Sequence, residues 1–236
     1  MLHDLRHAAR FLARNPGFAA VVLLTLALGI GGTTTIFTAL RASLLAGLPY
    51  PEADRLVALD ITVSDSAGST DTYPWSFPKF ETMRGLVTSL ELVTARTGRD
   101  VTLAGGPEPM RSYLEATTAE YFALFGAAPL HGRLFSTMED APGADATVAI
   151  LAHATWVSQF GGDPALVGRT VRVNGVPVLV VGVLQPGFRG VSGRVDLWVP
   201  VRALPAIGFG RVLERRWAHG FVAFARLRPG VTLDRA

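Results

Sequence analysis

Residues 170–184 read TVRVNGVPVLVVGVL. Asn174-Gly175 sits between two runs rich in β-branched residues. An Asn-Gly pair supplies the two positive φ angles of a type I′ turn, whose twist matches that of the strands it joins. The stretch is therefore expected to be a β-hairpin, 170–173 against 176–184. Pro177 has no N–H to donate, so its strand should be an edge there or pair only on its other side.

Outward from the hairpin the pattern mixes helices and strands. Residues 154–160 (ATWVSQF) suit a short helix closed by Gly161-Gly162, and 148–151 suit a buried strand. Strands are expected at 197–199 and 221–227. Upstream, 56–63 (LVALDITV) reads as one strand, 64–72 as a polar loop, and 76–84 as a helix with Phe77, Phe80 and Met83 on one face. Further strands are expected at 90–95, 101–103 and 110–116, then a helix over 118–125 with Thr118 as its N-cap. No regular βαβ period emerges, so the fold class is α+β. Near the end, Pro229-Gly230 makes a turn, and Thr232 and Asp234 begin a helix that is not completed by Ala236. The expectation is a longer reading frame that continues into apolar spans.

The N-terminal part obeys different chemistry. Residues 16–40, PGFAAVVLLTLALGIGGTTTIFTAL, contain no charged side chain, and Arg14 and Arg41 bracket them. As a helix they would extend about 36 Å, enough for a hydrocarbon core of roughly 30 Å. A transmembrane helix is expected over 17–40. It is longer than the apolar core of a cleaved signal, and no small-x-small cleavage site follows. Arg6, Arg10 and Arg14 precede it, whereas Arg41, Glu52, Asp54 and Arg55 nearly balance after it. The positive-inside rule then places the N-terminus in the cytoplasm and the remainder outside. Arg6, Arg10 and Arg14 share one face of a short amphipathic basic helix over 1–16. Within the span Ala27, Gly31 and Thr35 recur every four residues, a candidate helix-packing face where small side chains admit a neighbouring helix.

Composition agrees. Hydrophobic residues make up 49% and charged ones 17%, with mean hydropathy +0.34. Average domains carry roughly 25% charged residues. The pI near 9.8 does not signal nucleic acid. Residues 1–16 hold three arginines against Asp4, while the rest holds nineteen basic and eighteen acidic side chains. No basic stripe suited to phosphates is legible in the large domain. With no cysteine, thiol and disulfide chemistry is excluded.

Catalytic motifs are sparse. There is no P-loop, and Lys79, the only lysine, has no glycine neighbour, so ATP is not bound in that manner. No His-Glu-x-x-His or Gly-x-Ser-x-Gly occurs. Glu139, Asp140 and Asp145 lack the EF-hand pattern and read as a solvated acidic turn. His153, Ser158 and Asp163 have no geometry that argues for a triad. Trp75, Trp156, Trp198 and Trp217 read as core aromatics.

Two long stretches then carry a resemblance. The first lies within 12–59 (ARNPGFAAVVLLTLALGIGGTTTIFTALRASLLAGLPYPEADRLVAL). The second, within 121–201, comprises YFALFGAAPLHGRLF, VAILAHATWVSQFGGDPALVGRTVRVNGVPVLVVGVLQPGFRG and DLWVPV; the closing RLRPGVTLDRA also fits. Together they resemble the N-terminal half of MacB-like, FtsX-type ABC permeases, in particular the orphan duplicated permeases. The resemblance implies a first membrane helix leading into a periplasmic core domain of two lobes over 41–236, the second lobe at about 115–205. It implies a permease in the bacterial inner membrane that pairs with a second copy and is driven by a separate cytoplasmic ABC ATPase. A periplasmic adaptor or cargo would complete the partner set, with the lipid bilayer and without nucleic acid. It implies no catalytic residue, no metal and no cofactor other than ATP on the ATPase. The external domain would relay movement across the membrane, or mechanotransmission. The competing expectation is a membrane-tethered periplasmic binding or scaffold module that never transports.

Overall fold

The computed structural model describes residues 14–40, 49–64, 68–144 and 147–235. The chain divides into two compact units, up to Pro49 and from Tyr50 onward. The basic helix expected over 1–16 lies almost wholly outside the described residues, as does Arg41.

In the first unit, helix α1 spans Pro16–Leu40. Thr25 and Thr33 donate their hydroxyls to the carbonyls of Val21 and Gly29, four residues back, so neither needs an outside partner. Leu23, Leu24, Leu26, Leu28 and Ile30 are all exposed. The side chains of 18, 19, 22 and 35–40 lie outside the described set. Among the described residues, no helix is long and apolar enough to cross a membrane, so the span expected over 17–40 rests on its uncharged sequence alone.

The second unit is built on a nine-stranded mixed sheet. Its strands are β1 (Leu56–Leu59), β4 (Leu90–Ala104), β5 (Met110–Thr117), β6 (Pro129–Gly132), β7 (Val148–Leu151), β8 (Thr170–Val173), β9 (Val176–Leu184), β10 (Leu197–Pro200) and β11 (Val222–Leu227). β2 (Ile61–Ser64) and β3 (Thr70–Tyr73) form a separate two-stranded hairpin. The helices are α2 (Phe77–Leu86), α3 (Tyr121–Phe125) and α4 (His153–Phe160).

The sheet order is β1-β11-β4-β5-β10-β7-β9-β6. β8 pairs with both β9 and the far end of β4. The pairings therefore close into a ring: β4, β5, β10, β7, β9, β8 and back to β4. The ring's interior is an apolar core to which all six strands contribute, including Leu103, Leu114, Val199, Leu151, Val180 and Val173. β-strand side chains alternate between faces. Leu197 and Val199 of β10 thus enter this core, while Trp198 between them enters a second cluster around α3. The second cluster is aromatic: Phe122 meets Trp198 edge-on at 5.9 Å, and Tyr121 meets Phe125 at 4.9 Å. α2 closes the first core through Phe77, 5.4 Å from Phe221.

Asn174 and Gly175 both have positive φ, as the type I′ turn requires. Asn174 does more than turn the chain. Its Oδ1 accepts from the Thr102 N–H at 2.9 Å and its Nδ2 donates to the Ile207 carbonyl at 3.1 Å. The hairpin tip is thereby stitched to β4 and to the segment after β10. Asn174→Ala loses both bonds and must hold positive φ without the side chain that tolerates it. A cost of about 2 kcal/mol is expected in thermal unfolding. Asn174→Gly should recover the backbone part alone. Pro177 pairs with β8 opposite Arg172, and β7 joins the other side of β9 only from Leu179.

Several expectations need correction. The strand expected over 56–63 breaks at Asp60: β1 enters the main sheet and β2 turns out into the hairpin. The polar loop expected at 64–72 contains β3, held by backbone pairing to β2. The strands expected at 90–95 and 101–103 are one fifteen-residue strand, because buried Thr97 and half-buried Arg99 keep their polar groups bonded within it. Thr118 does not cap α3. Its Oγ1 bonds Thr94 and the Ala95 N–H instead, and the helix starts only at Tyr121.

Candidate functional site

Ionisable groups converge on a cleft of about 430 Å³ lined by Glu81, Arg84, Glu120, Thr137, Asp140 and Ala141. α2 presents Glu81 and Arg84 one turn apart. The turn after Phe135 brings Asp140, and the segment leading into α3 brings Glu120. Arg84 pairs with Glu120 and, at 3.3 Å, with Asp140 Oδ2. Arg202, just after β10, donates to Glu81 at 2.8 Å and to the Asp140 carbonyl at 3.3 Å while lying over the Phe77 ring. Four separate segments are thus clamped by two guanidiniums. Burial, and then the negative charge of Glu120, push the Asp140 carboxyl up to about 6 against the opposing pull of Arg84. Two guanidiniums thus face three carboxylates, and the described lining offers no activated nucleophile.

This corrects the expectation of a solvated acidic turn. The Asp140 side chain is only 8% exposed. Glu139 is the residue that builds the turn. Its Oε2 accepts from the Ser136 N–H at 2.7 Å, and it takes Arg133 in a two-pronged ion pair. Burial alone would raise the Glu139 carboxyl, but Arg133 and Ser136 outweigh it and hold the group below the ordinary range. The Ser136-x-x-Glu139 spacing is that of a capping box, a signal present in the sequence. Asp145 lies outside the described residues.

A second polar cluster is sealed in the core. Glu115 on β5 is fully buried and accepts from the Tyr121 hydroxyl at 2.7 Å, with Arg96 at 3.4 Å. The Tyr121 oxygen in turn accepts from the Val191 N–H at 3.0 Å. Burial, then Glu115, raise the Tyr121 hydroxyl far above its usual range. Gly190, at φ +70°, lies so close that an added Cβ would stand 2.8 Å from Glu115 Oε2. The cluster pins the 185–195 loop to β5.

The other sequence candidates are not brought together. Asp163 caps the turn at Ala165 and pairs with Arg169, Ser158 bonds its own helix at Thr155, and the His153 ring rests against Trp156. Among the described residues, no group of three or more His, Asp or Glu side chains could hold a metal ion. Trp198 and Trp156 are buried and Trp75 half-buried, but Trp217 is 71% exposed. Ala27 and Gly31 are exposed on α1, and an added Cβ on Gly31 would meet no atom within 4 Å. The Thr35 side chain is outside the described set. A shallow groove runs along a different stripe, Thr25, Gly29 and Thr33.

Comparison with known proteins adds the family. The family described as the MacB-like periplasmic core domain matches residues 19–236. Three solved structures share the fold at low identity. The extracellular domain of the noncanonic ABC-type transporter YknZ from Gram-positive bacteria is 16% identical with a TM-score of 0.56, covering 74% of this chain and 84% of that one. The periplasmic region of MacB from Actinobacillus actinomycetemcomitans is 15% identical with a TM-score of 0.61, covering 81% and 82%. A domain of a protein classed as a permease from Porphyromonas gingivalis is 17% identical with a TM-score of 0.58, covering 78% of each. No curated protein matches the sequence.

Proposed function

The chain belongs to the MacB-like periplasmic core domain family, and from that premise we propose that it is the extracytoplasmic portion of an ABC-transporter permease subunit. Residues 1–16 lie on the cytoplasmic face, 17–40 cross the inner membrane, and 41–236 form the external domain in two lobes. The domain performs no chemistry. It couples movement of membrane helices, driven by a separate cytoplasmic ATPase, to export or to mechanical work outside. The observation that carries this reading is the extent of the family match, which spans residues 19–236 and so takes in most of α1 together with the sheet domain. Dense buried packing around Glu115 and a clamp of four segments at Arg84 suit a rigid relay better than a pocket for catalysis.

The absence of cysteine makes the test direct. Arg10→Cys and Arg169→Cys, each as the sole thiol, are labelled in intact spheroplasts with a membrane-impermeant maleimide. The reading expects labelling at 169 from outside and at 10 only after lysis. Labelling of both from outside, or of neither, would remove the proposed topology. Pairing with a second copy is assigned to the Ala27–Gly31–Thr35 face. Gly31→Ile should weaken dimerisation in detergent about tenfold or more, by preventing close backbone approach. An unchanged dimer, measured by analytical ultracentrifugation, would move the interface elsewhere, Gly29→Ile on the other stripe being the comparison.

A further inference from the structure

Along the strip made by β1, β11 and β4, Leu56 pairs with Arg226, and Leu90 with Leu227. Residues 50–56 and 227–235 therefore lie at one end. At the opposite end β1 runs out at Leu59, opposite Ala223. There the β2–β3 hairpin projects, and the segment 209–220 turns back into β11 through the Trp75–Phe221 bridge. That segment carries Arg211, Arg215 and Arg216 against Glu214 alone, an excess of two positive charges. Everything after residue 16 sums to an excess of only one. Positive charge is thus concentrated here while the remainder of the domain is slightly acidic. Glu214 pairs with Arg211. Among the described residues, neither Arg215 nor Arg216 has a carboxylate partner. Arg99 of β4 adds to the charge, its guanidinium 5.7 Å from the Phe209 ring.

Trp217 lies in this segment, 71% exposed, with Arg215 over its ring at 5.1 Å. The hairpin adds Tyr73 and Val63, both exposed. The Tyr73 ring lies 6.2 Å from that of His219, which bonds the Pro74 carbonyl at 2.7 Å. Trp217 belongs to neither core cluster, whereas Phe221 and Trp75 pack into the first. Trp, Tyr and Arg are the residues that most often carry binding energy at protein interfaces, and rim arginines set charge preference.

We propose that 211–217 together with Tyr73 forms a docking surface for an acidic, partly apolar segment of a partner protein. Trp217 supplies the buried anchor, and Arg215 and Arg216 select negative charge around it. A lipid surface would meet the same charges and is therefore a separate arm of the test.

The test uses the full chain in detergent and three probes: the peptide EELEELEE, its counterpart KKLKKLKK, and vesicles containing phosphatidylglycerol. Binding is read by anisotropy of labelled peptide or by vesicle flotation, and Trp217 burial by protection from acrylamide quenching. The acidic peptide should bind and protect Trp217, and the basic one should not. Arg215→Glu with Arg216→Glu, and separately Trp217→Ala, should each weaken binding about tenfold or more, with circular dichroism unchanged. The proposal is overturned if the acidic peptide does not bind, if it binds the variants equally well, or if vesicles bind through these residues and the peptide does not.

Discussion

Glu115→Ala is expected to destabilise the domain by about 3–5 kcal/mol, a large loss for a single polar side chain. Glu115 is fully buried and holds both the Tyr121 hydroxyl and Arg96. Truncation leaves a half-buried guanidinium without its counter-charge and a buried phenol without its acceptor. Removing one member of such a pair costs far more than replacing the whole set by apolar groups. Tyr121→Phe should therefore cost only about 1–2 kcal/mol, since it deletes one hydrogen bond to a charged group and frees the Val191 N–H. The combination Arg96→Met, Glu115→Leu and Tyr121→Phe should recover much of the loss. Guanidinium unfolding at constant m-value measures all three. A Glu115→Ala cost below about 1 kcal/mol would show that the cluster is wetter than its burial implies. Hydrogen exchange at Val191 gives a local check, because the 185–195 loop should loosen in both single variants before the ring of strands does.

The contrast between what was legible in the sequence and what was not follows from distance along the chain. Asn174-Gly175 declares its hairpin because the turn chemistry is contained in two residues. β7, α4, β10 and β11 follow from local apolar runs and a glycine stop. The closure of the ring is not local: β8 reaches β4 seventy residues upstream, through Val173 opposite Leu103. β4 looks broken in sequence because Thr97-Gly98-Arg99-Asp100 is polar. Gly98 leaves room there for the Tyr113 hydroxyl, which an added Cβ would push aside. β3 has no apolar face to announce it. The charged cleft was equally hidden. Arg84 and Asp140 are 56 positions apart, and Arg202 and Asp140 are 62. An aspartate beside a glutamate in a Gly- and Pro-flanked turn looks solvated until the partner helix is in place. Trp217 shows the reverse error, where residue type suggested core and the local run of arginines argued for surface.

Asp140→Asn should stabilise the domain at pH 7.5–8 by about 1–2 kcal/mol and leave it nearly unchanged below about pH 4. The folded-state carboxyl titrates at about 6, above its ordinary value of 3.8, chiefly because it is buried and then because Glu120 is near. Between roughly pH 4 and 6 the folded chain therefore binds more protons than the unfolded one, and stability falls as pH rises through that window. Above about 6 the carboxylate is charged and the full penalty applies. About two pKa units would correspond to about 3 kcal/mol, and water at the mouth of the cleft together with the Arg84 pair reduces what is measured. Asparagine keeps an acceptor for Arg84 and removes the charge, so it holds at every pH the neutral state that Asp140 reaches only in acid. Glu139 works with the opposite sign. Its carboxyl is held low by Arg133 and Ser136, so its contribution is present above the ordinary carboxylate range and is lost as pH falls below it. The two effects occupy different windows and can be separated in one experiment. Thermal unfolding of both proteins from pH 3 to 8 should show the slope between about 4 and 6 in the native sequence and its absence in Asp140→Asn, with the acid limb common to both. A variant less stable than the native chain at pH 8 would mean that the Arg84 pair outweighs burial and that Asp140 is a fixed anchor. If instead the slope disappears as expected, acidification stabilises the domain by relieving the burial of the Asp140 charge, even though it weakens the pair with Arg84.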